Sequence, residues 1–205
     1  VRRIVLVHGA ATGPGVWATT AAALRGTVEV LCPDRPQSGD LGAEIAFLAP
    51  LCDGAFVIGV SGGATLGLEL AARGVPIEGA VLHEPAAGSL APGLLDHVAE
   101  GLATGGVRGF GTALYGPAWN PSLTTATLET VAGEFAMFGA FEPAPLGDAA
   151  ARVTLTVGEH SPPSRHRSVR ALCEHLGTRQ RVLPGVGHAA HLENGAALAE
   201  LAQRP

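Results

Sequence analysis

A chain of 205 residues, 47% apolar and 15% charged with a net charge of −5, is long enough for one sizeable core and too apolar to stay disordered. No basic cluster exceeds Arg2-Arg3 or the spaced Arg165, Arg167 and Arg170, so neither nucleic acid nor an anionic membrane surface is an expected partner. All thirteen basic residues are arginines, which excludes Schiff-base chemistry and any mechanism built on an active-site ammonium. No apolar stretch approaches the roughly 18 residues of a membrane span, and the opening Arg2-Arg3-Ile4-Val5-Leu6-Val7 is too short for a signal core. Cys32, Cys52 and Cys173 are spaced as isolated thiols and not as a disulfide frame or a zinc site, so a cytoplasmic protein is expected.

Along the chain, short apolar runs at 4–7, 28–31, 56–60, 79–82, 153–157 and 180–183 read as strands. Between them, leucines and alanines at helical spacing predict helices over 16–25, 41–48, 64–73, 164–176 and 193–201. Gly26, Gly74 and Gly177 stand at helix ends. This alternation predicts an α/β fold, a doubly wound and mostly parallel sheet with helices on both faces. One interval breaks the rhythm. From 85 to 148 helical stretches punctuated by Pro and Gly replace the alternation, carrying Phe110, Tyr115, Trp119, Phe135, Met137, Phe138 and Phe141. The expected organisation is a single domain with a core over 1–84 and 149–205 and a small helical cap inserted over 85–148. The cap aromatics read either as the inner face of a lid over a pocket or as the cap's own small core.

Gly59-Val60-Ser61-Gly62-Gly63 stands where the third strand turns into a helix. Such a turn lifts a serine Oγ clear of the sheet and leaves the following N–H free for a developing oxyanion. With 29 glycines in the chain the five-residue match alone is weak, arising in about one random sequence in seven, so its place after a buried strand carries the reading. A serine nucleophile needs a base, and Gly185-Val186-Gly187-His188 puts an imidazole on a glycine-flanked loop after the last strand. His191 makes an H-x-x-H pair with it, but no further ligand cluster completes a coordination shell and no metal is expected. His8 reads as a loop-holding donor, and His97, His160, His166 and His175 as solvated.

Taken in order, His8-Gly9-Ala10 after the first strand, Gly59-Val60-Ser61-Gly62-Gly63 and Gly187-His188 resemble the α/β-hydrolase family over nearly the whole chain. The stretch from His8-Gly9-Ala10-Ala11-Thr12-Gly13 to Trp17 is similar to small esterases of that fold. The resemblance implies that the backbone N–H groups of Ala10 and Gly62 form the oxyanion hole. It departs at the acid, because the family's aspartate slot three residues after Gly158 holds Ser161. A hydroxyl does not stabilise an imidazolium as a carboxylate does. Glu84, ending the strand after the nucleophile's helix, is the first substitute; certain haloalkane dehalogenases resemble this chain in carrying their acid there. Glu159 is the second, and loss of the acid the third. Asp34 and Asp148 are expected to lie away from His188.

The expected activity is cleavage of a small, largely apolar carboxylic ester by Ser61, His188 and Glu84, without a cofactor and with Trp17, Tyr115 and Trp119 lining the substrate site. A thioesterase or a C–C bond hydrolase uses the same chemistry. Hydroxynitrile lyases similar at the oxyanion loop rely on a lysine that this chain lacks, and haloalkane dehalogenases need an aspartate where Ser61 stands. A non-catalytic α/β-hydrolase scaffold that binds a small ligand is the rival from another class, motivated by Ser161.

Overall fold

The computed structural model describes residues 1–24, 26 and 28–203. Strands β1 (Arg3–Val7), β2 (Glu29–Leu31), β3 (Phe56–Val60), β4 (Gly79–His83), β5 (Val153–Gly158) and β6 (Arg179–Leu183) form one sheet in the order β2-β1-β3-β4-β5-β6. Every neighbouring pair is parallel, as the expected doubly wound sheet requires. Parallel neighbours need crossovers. These are supplied by helices α1 (Ala18–Leu24), α2 (Leu41–Cys52), α3 (Gly62–Ala72), α4 (Asp96–Tyr115), α5 (Leu128–Gly139) and α6 (Pro163–Leu176), with α7 (Ala190–Glu193) and α8 (Gly195–Gln203) closing the chain.

Three helix boundaries differ from expectation for local reasons. The helix expected over 16–25 begins as a 3-10 turn, Pro14–Trp17, and its expected last residue, Arg25, lies outside the described residues. Helix α2 runs past Leu48 to Cys52 with Pro50 inside it. The helix expected over 193–201 is split by Asn194, whose φ of −155° is not helical, into α7 and α8.

Side chains alternate across the strands with the pleat's period of two. Ile4, Leu6, Ile58, Val60 and Val81 face one apolar cluster with Trp17, Leu24 and Leu198, under α1 and α8. Val5, Val7, Val57, Ala80, Leu82 and Leu155 face the other, under α2, α3 and α6. Strand β6 is an edge, exposed on both faces from Arg179 through Val182.

Between β4 and β5 lie α4, kinked at Gly106, and α5. Phe110, Tyr115, Met137 and Phe138 of these helices, with Trp119 between them, are buried in the same cluster as α2 and α3, so this segment shares the sheet's core. Among the described residues no helix is long and apolar enough to cross a membrane.

The sheet order places the site. The chain leaves β1 toward β2 and returns as β3 on the opposite side of β1, which opens a crevice at the carboxyl ends of β1 and β3. The loops after these two strands carry Ala10 and Ser61.

Candidate active site

Ser61 occupies the turn from β3 into α3 with φ 56° and ψ −122°, a conformation an L-residue adopts only under constraint. The constraint is visible on both sides: Ser61 N–H donates to the His83 carbonyl at 2.9 Å, and its own carbonyl accepts from Thr65 N–H at 3.0 Å as α3 begins. A Cβ on Gly63 would strike the Val7 carbonyl, so glycine there lets α3 approach β1. Gly62 is the first residue of α3, and its N–H belongs to the group that a helix leaves unpaired at its start. A Cβ on Gly62 would stand 3.3 Å from the Ala10 amide nitrogen and 2.5 Å from Phe138 Cε2. The structure thus brings Ala10 against Gly62 beside Ser61 and lays a phenyl ring over them.

The loop carrying Ala10 is held from below and from above. Arg35, fully buried, donates to the carbonyls of His8 at 3.0 Å and Gly9 at 3.2 Å. The same guanidinium pairs with Glu44 of α2 at 2.8 Å and Glu134 of α5 at 2.6 Å. From the other side Tyr115 Oη donates to the Ala10 carbonyl at 3.0 Å and Trp119 Nε1 to that of Ala11 at 2.8 Å. Ala11 itself has φ 53°.

Across the crevice, His188 Nδ1 donates to Glu84 Oε2 at 2.7 Å, which leaves Nε2 as the basic nitrogen. That Nε2 is buried and has no hydrogen-bond partner among the described residues. The other carboxylate oxygen of Glu84 accepts from the Gly158 N–H at 2.9 Å and from the Ser161 hydroxyl. Ser161, in the slot where the family carries an acid, therefore serves as a donor to the glutamate one strand away. Glu159 takes the Gly185 N–H at 2.7 Å on the surface instead. The loop bearing His188 is pinned at Gly187, whose N–H donates to Glu193 at 2.6 Å and whose carbonyl accepts from His83 Nε2 at 3.0 Å. The Thr156 hydroxyl, 2.9 Å from His83 Nδ1, completes that ring's tautomer.

These environments set the protonation states. Burial raises the Glu84 carboxyl, but the His188 hydrogen bond and the charges of His188, His83 and Arg165 outweigh it and hold the group well below the usual carboxylate range. Burial and the nearby Arg165 charge lower His188 to about 4 against the pull of Glu84. The resting pair is a carboxylate beside a neutral imidazole. Tyr115 stacks on the His188 ring with centroids 5.5 Å apart. Its hydroxyl and Ser61 Cβ both lie within 3.2 Å of the point where a Gly9 Cβ would be.

The three aromatics expected to line the substrate site do not border the cavity beside Ser61. Trp17 is fully buried under the opposite face of the sheet, with its indole 5.2 Å from the His191 ring, because residues 14–17 turn inward to cover β1. Trp119 is spent on the Ala11 carbonyl, and Tyr115, bonded to the Ala10 carbonyl, stands beside Ser61 and His188 without lining the cavity. The cavity, about 30 Å³, is instead bounded by Ser61, Gly62, Val98, Phe110, Phe138 and Arg165, among others. Arg35 and Arg165 beside the site, and the donor role of Ser161 toward Glu84, are not foreseen from the sequence. A signal existed for Arg165, which repeats at helical spacing with Val169, Leu172 and Leu176 on the buried stripe of α6.

Comparison with known proteins bears on the family and the fold. The sequence profile described as the alpha/beta hydrolase family matches residues 4–201. No curated protein matches the sequence. Among solved structures, the chain is similar to naproxen esterase (carboxylesterase NP) from Bacillus subtilis, with 17% identity over all of this chain and 83% of the other, at a TM-score of 0.69. NosK from Streptomyces actuosus is 23% identical over 98% and 96% of the two chains, with a TM-score of 0.71. MenH from S. aureus is 12% identical over 98% and 92%, with a TM-score of 0.74. At these identities the likeness speaks to the fold, and the family profile speaks to membership: the chain belongs to the alpha/beta hydrolase family.

Proposed function

We propose that this alpha/beta hydrolase is a serine hydrolase of small carboxylic esters, with Ser61 as nucleophile, His188 as base and Glu84 as the acid that orients it. The contact of 2.7 Å between His188 Nδ1 and a Glu84 carboxylate sealed by Gly158 and Ser161 carries the reading. In the first step Oγ of Ser61 attacks the ester carbonyl as its proton passes to His188 Nε2. The developing oxyanion is received by the N–H groups of Ala10 and Gly62. The imidazolium then gives its proton to the leaving alcohol, and water, activated by the same nitrogen, releases the acid. Glu84 keeps the imidazole in the required tautomer and offsets its charge without taking the proton. In this reading residues 85–148 act as the cap, with Phe110 and Phe138 forming the apolar wall of a compact site.

Treatment with a fluorophosphonate tests the assignment. A single adduct on the peptide containing Ser61, absent from Ser61→Ala, together with hydrolysis of a short-chain ethyl ester, is the expected result. A wild-type protein that remains unlabelled beside a labelled control esterase would overturn it.

A further inference from the structure

Arg165 is unlike the other residues around the cavity. It enters from the first turn of α6, is only 4% exposed, and borders the same space as Ser61 and Gly62. A cation in the first turn of a helix opposes the helix dipole, and a buried cation needs an anion or several acceptors. Arg165 has neither in full measure. Among the described residues its side chain makes no hydrogen bond, and its one ion pair, Nε to Glu84 Oε2, is 3.7 Å long. Glu84 is already engaged by Gly158, Ser161 and His188. A guanidinium carries five N–H donors in a planar fork that matches a carboxylate, so its binding capacity is almost unused. The remaining wall, with Val98, Phe110 and Phe138, is apolar.

We propose that Arg165 binds a carboxylate on the substrate, so that the ester cleaved at Ser61 has a short apolar body with one anionic end, a half-ester of a small dicarboxylic acid being the simplest case. This rests on Ser61 being the nucleophile and narrows the substrate class of that same site. The alternative role, a purely electrostatic support for Glu84, gives no preference for anionic substrates. The neutral wall and the single fork together favour one charge over two. Bidentate pairing would also fix the register of the ester carbonyl against the Ala10 and Gly62 amides.

Monoethyl succinate and its uncharged isostere ethyl succinamate, followed by pH-stat titration, provide the test. Wild-type kcat/KM is expected to favour the carboxylate by at least about tenfold, the worth of a charge-assisted hydrogen bond. In Arg165→Gln the ratio should collapse toward one, and Arg165→Lys should restore part of it as a point charge without the fork. A wild-type ratio near one, or a ratio unchanged in Arg165→Gln, overturns the proposal while leaving the hydrolase reading intact. A wild-type measurement covers the case in which the variants do not fold: by calorimetry butyrate should bind more tightly than butyramide, and equal binding overturns the proposal. Because that readout needs no turnover, it separates failure at Arg165 from failure of Ser61 to react.

Discussion

Arg35 and Arg165 are both buried, both lie beside a glutamate and both stand near Ala10 and Ser61, yet their valences are met in different ways. Arg35 donates to two carbonyls of the loop after β1 and pairs at under 3 Å with two glutamates on separate helices. Arg165 has one partner at 3.7 Å, shared with His188. The first guanidinium is consumed by the fold, holding the loop after β1 through the His8 and Gly9 carbonyls. The second keeps its donors for a molecule that arrives. Burial alone therefore does not separate a structural charge from a binding one; the count of filled donors does.

The comparison can be broken at several points. The largest effect is expected at Glu84, the carboxylate that Arg165 shares with His188. Glu84→Gln should lower kcat by about 10³–10⁴ by misorienting His188, and a near-normal rate in steady-state assays would move the acid role elsewhere. Next comes Arg35→Met, which strands two buried glutamates and should cost about 3–5 kcal/mol in urea unfolding; a loss below about 1 kcal/mol would remove the contrast between the two arginines. A third effect is on pH. His188 is lowered from 6.5 to about 4, and as the proposed base it must be deprotonated, so kcat/KM should rise with pH through about 4 and flatten above about 5. Arg165→Gln should shift that acid limb upward and Arg35→Met should not, because after burial the Arg165 charge contributes most to lowering His188, and Arg35 is not among its causes. An acid limb near 6.5 in the wild type would contradict the assignment. The smallest effect concerns stability in Arg165→Met, expected to change by less than about 1 kcal/mol because no partner is left without another. A loss of about 3 kcal/mol in the same urea titration would make Arg165 structural.

Stability should follow the same histidine logic. His8 and His191, both at about 3, and His188 are buried neutral, whereas the unfolded chain protonates them near 6.5. The unfolded state then binds more protons, so stability falls as pH drops below about 6.5.

The fold was legible because the signals that define it are local. Short apolar runs bounded by turn residues mark most strands, and Gly59, Gly62 and Gly63 announce a close strand-to-helix turn around Ser61 before any contact is known. Glu84 was legible from its place at a strand end, and the contact with His188, 104 residues away, required the sheet. What could not be read was the destination of polar side chains in loops. Arg35 stands between Asp34 and Pro36 with nothing local to mark it as buried, and Arg165 sits beside Arg167 and Arg170, which are exposed. Trp17 shows the converse: its nearness in sequence to Ala10 suggested the pocket, but the 3-10 turn rotates it to the far face of the sheet.

The hydroxyl of Ser161 against Glu84 has a consequence for how this enzyme can change over evolutionary time. Under the proposed triad the carboxylate comes from the end of β4, so the loop after β5 need not supply an acid and presents only one small donor to it. Its neighbours are then free to diversify without disabling the base. Position 165, four residues on, is the place where such drift would alter which molecules are accepted while the reaction stays the same.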